Sequence, residues 1–532
     1  MLAFVPIALL IFAALLIQVV GRVQRMAGRT WLIAAVISVL AWGSMILIGL
    51  VKPGAVTIAD WMPDPFRFTQ LEFQFSNQTW VFGFVLMTLL VAIVFYEAKF
   101  LEYTNYINKI SASMLVVAFG QLAILSHSFL MFALSWTIID LVEAAILVAV
   151  VRQPQNHQSA VTSVLFRSLG TLFLIVLMAS DTALDSGLAG SDMILSSSTL
   201  LFLTAFLRIG IIPIYLPYGD VSGIQRGFVT IMRFVPLLSA FSFITLYSDL
   251  GLSVTVSPFL RFLLLTGLIY TAVKWFVARD EIAGRRYWIL GMALIGLIAF
   301  IDQKTPALVG IATLMVAGGA GMFLYFPRFK RALPFIPILL TGLLAIPYTP
   351  TASLSLLFEG VSFGSVILAL GVSLFIAGVI KHAFIFPEAE SFIEPWMRMF
   401  HAVALYLVAL SPWITIIASG NFGNYQATWW AIAAVIVLTA CLVVLSRIFK
   451  RRKLKNLYPS EKVENIASRI RTRLSGVFRL NWLTWLGERL IDAIGKIIQM
   501  IVRVLEGDGG ILWSFLFVVL IISLLLVPQV PR

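Results

Sequence analysis

Apolar runs long enough to cross a bilayer follow one another along this chain, with only short polar segments between them. A span takes about 20 mainly apolar residues. With that ruler the candidates are 2–20, 31–51, 79–97, 108–126, 128–151, 163–181, 196–218, 227–247, 257–277, 286–301, 307–327, 332–350, 355–380, 398–418, 426–447 and 511–528. They make about sixteen predicted helices. The chain of 532 residues is 60% hydrophobic and 12% charged, with a mean hydropathy of +0.99. A soluble domain is about half apolar and about a quarter charged. The sequence therefore predicts an all-α integral membrane protein and excludes a soluble globular one.

The same reading removes several function classes. A single cysteine, Cys441, leaves no disulfide framework or cysteine metal site, and His127, His157, His382 and His401 share no metal-ligand spacing. No P-loop, dinucleotide fingerprint or nucleophile elbow is present. Neither catalytic residues nor a cofactor are expected. The net charge of +13 sits in loops and in a C-terminal segment, so it reads as membrane topology and not as a nucleic-acid surface. The first apolar stretch is followed by Gly21-Arg-Val-Gln-Arg25, which reads as a retained helix and not as a cleaved signal.

Loop charges set the topology. Alternate loops carry Arg22, Arg25 and Arg29; Lys99 and Lys109; Arg152; Arg226; Arg279, Arg285 and Arg286; Arg328, Lys330 and Arg331; Lys381; and Arg447 to Lys455. The intervening loops hold Asp60, Asp64, Asp181, Asp185, Asp192, Asp249 and Asp302. Positive loops stay in the cytoplasm, so both termini are predicted outside, in the cytoplasmic (inner) membrane of a prokaryote. From about Ser460 to Leu505 the pattern changes: Ile466, Ile470, Leu474, Phe478, Leu486, Leu490, Ile494, Ile498 and Val502 recur at helical spacing among charges. That predicts an amphipathic helix along the interface or along partner subunits. The predicted organisation is N-terminal helices in 1–107, a core in 108–397, two helices and a basic loop in 398–455, the lateral helix in 456–510 and a last span in 511–532.

Charges inside spans are costly and mark function by default. Those singled out are Asp140 and Glu143 in the fifth helix, Arg208 in the seventh, Arg233 in the eighth, Lys274 in the ninth and Glu359 in the thirteenth. Asp140 and Glu143 share one helix face; they can hold a proton between them or pair with a cation on a neighbouring helix. Arg208 is read as mid-helix, ahead of Gly210, Pro213 and Pro217, where the helix should break. Such a break beside a charge suits an ion path; the alternative is a structural salt bridge from Arg208 to Asp140 or Glu143. Lys274 lies near a helix end and can snorkel, and Arg233 precedes Pro236. Glu359 is expected at the outer interface, and Lys381-His382 closes a helix.

Several stretches resemble the antiporter-like membrane subunits of respiratory complex I and the related Mrp-type cation/proton antiporters. Ser126-His-Ser-Phe-Leu-Met-Phe-Ala-Leu-Ser-Trp136 is similar to the family's polar turn and the Trp-ended start of its fifth helix. Arg208-Ile-Gly-Ile-Ile-Pro213 is similar to its Lys-x-x-x-x-Pro on a broken seventh helix. Asp280-Glu-Ile-Ala-Gly-Arg-Arg-Tyr287 resembles the charged turn before its tenth helix, and Leu343-Leu-Ala-Ile-Pro-Tyr-Thr-Pro350 its Gly-Leu-Pro-Pro-Thr loop. The resemblance implies two inverted five-helix repeats, each with a broken helix; the residues singled out for ion translocation are Asp140, Glu143, Arg208, Arg233 and Lys274.

The departures are specific. The family's fifth-helix glutamate is replaced by Thr137, its seventh-helix lysine by Arg208, and its eighth-helix histidine has no counterpart near Gly227–Thr230. From Ile311 to Phe326 the only ionisable side chain is Tyr325, so the twelfth-helix lysine is missing. The resemblance thus implies a divergent subunit that moves protons or sodium ions with other membrane subunits in a complex-I-type or Mrp-type assembly. The other expectations are a membrane subunit for inorganic-carbon uptake and a non-conducting scaffold.

Overall fold

The computed structural model describes residues 2–24, 27–52, 54–60, 70–98, 106–150, 154–185, 197–211, 226–249, 258–324, 335–343, 348–383, 394–419, 429–451 and 489. The chain divides into two compact units, Met1–Tyr458 and Pro459–Arg532. In the second, the expected lateral helix and last span lie outside the described residues, apart from Arg489. The first unit runs α1 (Val5–Gln24), α2 (Ala27–Val51), α3 (Asn77–Glu97), α4 (Tyr106–Leu125), α5 (Phe129–Val150), α6 (Pro154–Asp185), α7 (Ser197–Ile209) and α8 (Arg226–Asp249). It continues with α9 (Pro258–Val277), α10 (Glu281–Ile301), α11 (Pro306–Leu314), α12 (Gly321–Leu324), α13 (Phe335–Leu343), α14 (Phe363–Ala383), α15 (Pro395–Ser419) and α16 (Trp429–Arg451). Among the described residues, 11 helices are long and apolar enough to cross a membrane, so the chain is a multi-pass membrane protein.

Burial sorts these helices into an inside and an outside. Every residue of α3 from Trp80 to Glu97 is buried, as are the residues 227–247 of α8. A helix that is apolar on all sides and enclosed on all sides is the centre of a bundle, and α3 packs against α2, α4, α8 and α15. At the periphery, α1 and α2 expose Phe12, Leu15, Val19, Leu40 and Leu47, and α9 exposes Phe259, Phe262 and Leu263. An apolar belt of this extent is untenable in water and is what a lipid-facing surface requires.

Several elements differ from the spans expected of the sequence. The α2–α3 loop carries a small antiparallel hairpin, Val56–Asp60 with Gln70–Phe73, tied to the α4–α5 turn by His127 N–H donating to Glu72 O at 2.9 Å. The span read as 307–327 is interrupted: residues Met315–Ala320 form a π-helical turn between α11 and α12. The cause is visible. The Trp288 indole donates to the Met315 carbonyl at 3.1 Å and sits where a side chain at Gly319 would be, which draws that carbonyl out of the α-helical ladder. Among the described residues, the span read as 332–350 holds the short α13, and a 3-10 turn runs over Ala352–Phe358.

Tryptophans lock the helices together because a buried indole N–H needs an acceptor, and helix backbones supply it. Trp31 donates to Val94 O and Trp80 to Met45 O, both at 2.8 Å, and Trp275 to Phe375 O at 3.0 Å. Small residues form the sockets: a Cβ on Gly378 would overlap Trp275 Nε1. Because Trp275 has no exposed surface and nowhere to move, Gly378→Val is expected to cost about 1–3 kcal/mol. It should lower the thermal unfolding midpoint of the detergent-solubilised protein. Gly43→Ala, on α2 with open space beside it, should leave that midpoint unchanged or raise it.

Candidate functional site

Helix α5 opens at Ser128, whose hydroxyl accepts from the Met131 amide at 3.3 Å, and then runs apolar except on one face. Trp136, Asp140 and Glu143 are all buried, and their spacing of four and then three residues aligns them along one stripe. Leu134, Thr137 and Leu141 form the exposed stripe of the same helix. Thr137, where the resembled family has its glutamate, thus points away from the buried charges and returns its hydroxyl to Ala133 O at 2.7 Å.

Arg208 has no exposed surface and meets Asp140, its Nη1 donating to both carboxylate oxygens at 2.7 Å. Its guanidinium also lies 4.9 Å from the Trp136 ring, a cation–π contact strengthened by exclusion of water. The sequence reading of Arg208 as mid-helix is corrected here: Arg208 is in the last turn of α7. Gly210 ends the helix itself, with φ +83°. Its N–H reaches Leu207 O at 3.2 Å, and the Ile211 N–H reaches Phe206 O at 2.9 Å. That pattern is a Schellman cap, and it places the cation at the negative end of the helix dipole. Pro213 and Pro217, expected to break the helix, lie outside the described residues.

Glu143 has a cation of its own. It pairs with Arg167 of α6, through Nη1 to Oε2, and both side chains are buried. One turn beyond Arg167, Gly170 lets α6 approach α7 so closely that a Cβ would lie 3.3 Å from the Arg208 backbone nitrogen. Asp140, Glu143 and Arg167 all act electrostatically on Arg208. The result is a neutral quartet of two carboxylates and two guanidiniums on three consecutive helices. Its hydrogen bonding is incomplete: among the described residues Arg208 Nε and Nη2 and the Thr204 hydroxyl have no hydrogen-bond partner.

The other sequence candidates lie apart from this group. Arg233 is buried in α8, three residues before Pro236. Lys274 is half-buried in the last turn of α9, its ammonium 5.8 Å from the Tyr270 ring. Glu359 is exposed and pairs with Lys304. Lys381 ends α14 by donating to Phe276 O at 2.6 Å and Ala278 O at 3.0 Å, and His382 Nε2 lies 3.1 Å from Trp275 O. Arg167 was missed, although a charge inside an apolar run is the same signal that marked Arg208. Lys109 and Arg285, counted among the loop charges, are buried near the starts of α4 and α10.

No family model matches the sequence, and no curated protein matches it. The fold does match solved membrane assemblies. A chain in the Mrp complex from Dietzia sp. DQ12-45-1b aligns with a TM-score of 0.54 and 14% identity over 94% of this chain and 63% of that one. This chain therefore spans less than two-thirds of the Mrp chain. A chain of the membrane-bound sulfane sulfur reductase, an archaeal respiratory membrane complex, aligns with a TM-score of 0.56 and 13% identity over 97% of this chain and 99% of the other. The likeness is one of fold: this chain is built as the multi-pass subunits of such assemblies are.

Breaking a buried ion pair strands its partner, at a cost of about 3–5 kcal/mol. Asp140→Asn and Arg208→Gln are each expected to lose stability on that scale, measured by unfolding in detergent. The double variant should recover much of the loss, since no unpaired charge then remains. Additive losses would mean that the two side chains do not depend on each other.

Proposed function

We propose that this chain is a divergent antiporter-like subunit of a multi-subunit membrane complex of the complex-I or Mrp type. On this reading it takes part in moving protons or sodium ions, with its basic loops in the cytoplasm of a prokaryote. The observation that carries the reading is the Asp140–Arg208–Glu143–Arg167 quartet, buried beside the capped end of α7, in a fold shared with an Mrp complex and a respiratory complex. Polar groups are retained inside a membrane bundle when they serve the ion path or hold a helix pair, and the unsatisfied donors of Arg208 favour the former. A purely structural clamp gains most when every donor is matched.

The chemistry follows from the residue types. A guanidinium does not release its proton, so Arg208 and Arg167 are fixed charges and any mobile proton resides on Asp140 or Glu143. Protonating either carboxylate turns the neutral quartet into one with net charge +1. That excess repels cations on the neighbouring helices and weakens the pair that lost its anion. A sodium ion taking the place of a guanidinium at a carboxylate would bias the quartet in the same direction.

A scaffold role is the second reading, favoured by the way Asp140, Trp136 and the Gly210 cap together fix Arg208. Ion flux through membrane vesicles holding the intact complex separates the two. Asp140→Asn and Glu143→Gln are each expected to reduce flux by about tenfold or more, which needs a barrier increase of only ~1.4 kcal/mol. Unchanged flux in both, with the complex still assembled, would leave the scaffold reading standing and remove the translocation one.

A further inference from the structure

A third buried carboxyl lies outside the quartet. Glu97 closes α3 and has no exposed surface. Among the described residues neither of its oxygens has a hydrogen-bond partner. On one side is the start of α8, where the absent side chain of Gly227 leaves the room it needs: a Cβ there would stand 2.9 Å from Glu97 Oε1. The Phe228 amide faces the carboxylate without completing a hydrogen bond to it. On the other side is Lys109, buried near the start of α4, whose charge acts on Glu97.

The surrounding elements bring few other charges. From α8 comes Arg233, and from α10 comes Arg285, whose Nη1 donates to Thr230 at 3.4 Å. His401 on α15 lies tilted beside the Tyr96 ring, 5.8 Å between centroids, with Nε2 2.7 Å from Leu324 O. At the start of α2 stands Arg29, while α11 and α12 with the turn between them carry no ionisable side chain.

An ionised carboxylate enclosed without hydrogen bonds is penalised by several kcal/mol, and an apolar side chain would fill the same space without that cost. A bound proton removes the charge and so the penalty. A sodium ion fits less well, because hard cations need several oxygen ligands and the neighbouring ammonium repels them. We propose that Glu97 is a proton-binding site separate from Asp140 and Glu143, at the end of the bundle where α3 ends and α4 and α8 begin, with Lys109 setting its proton affinity. A role for that proton in ion movement rests on the proposed function; the binding itself does not.

Infrared difference spectroscopy of the intact protein in membranes, stepped between about pH 5 and about pH 9, reads the carboxyl directly. The wild type should show the carbonyl stretch of a protonated carboxyl in an apolar site, shifted in heavy water. The band should vanish in Glu97→Gln and persist in Asp140→Asn. Lys109→Met should move its titration to higher pH by about one unit, because the nearby cation no longer favours the carboxylate. A band untouched by Glu97→Gln, or a titration unmoved by Lys109→Met, overturns the assignment. A band abolished by sodium chloride but not by choline chloride at constant pH also overturns it, in favour of a sodium site. Loss of flux in the Asp140 variant with this band intact would separate the two sites.

Discussion

A guanidinium with no access to water needs a fixed anion within reach, and the arrangement around Arg208 meets that need from three helices at once. Asp140 on α5 supplies the charge and Trp136, one turn earlier, supplies a π face. The Schellman cap at Gly210 supplies the carbonyl end of α7. Gly170 on α6 then lets the backbone of α7 come close enough for the pair to form. None of these features is stable in isolation. An arginine at the end of a short apolar helix would leave the membrane interior without its anion, and a 13-residue helix owes its place to packing more than to its own propensity.

The same economy governs the uncharged polar groups. Serines and threonines inside the bundle return their hydroxyl protons to carbonyls one turn back, as Thr88 does to Phe84 and Thr245 to Phe241, both at 2.8 Å. Tryptophans reach across to the neighbouring helix. Lipid offers no hydrogen bonds, so each polar group must find its partner within protein. Exceptions therefore carry information, and among the described residues they include Arg208, Thr204 and Glu97.

The helices were legible wherever a long apolar run is also a straight helix. The run 79–97 became Asn77–Glu97, and 355–380 became Phe363–Ala383 after a 3-10 turn. Hydropathy averages over a window, so it passed over interruptions caused by single contacts. The π turn at Met315 depends on an indole 27 residues away, and α7 stops at Gly210 before either proline is reached. The pairing of Arg208 with Asp140 was open to the sequence as an alternative, since opposite charges inside spans must find each other. That Glu143 pairs with Arg167 instead was not, because adjacency of α5 and α6 does not fix which faces meet. Lys109 and Arg285 were read as loop charges for a related reason: a residue near a helix's start faces water or protein according to its neighbours, and only the packed bundle decides.

An arginine at position 208 can do less than a lysine there could. A lysine in such a place can exchange its proton when its surroundings change, so cation and carboxylate can take turns as carriers. With Arg208 and Arg167 the positive charges are permanent, and they set a static field in which only the carboxylates titrate. On the proposed reading, proton traffic must then pass through Asp140 and Glu143, and each protonation unbalances a quartet whose neutrality is otherwise complete. A lysine stands elsewhere, at Lys109, whose charge acts on Glu97. On the two proposals together, the fixed charges stand on α5, α6 and α7 and the adjustable proton site on α3 and α4.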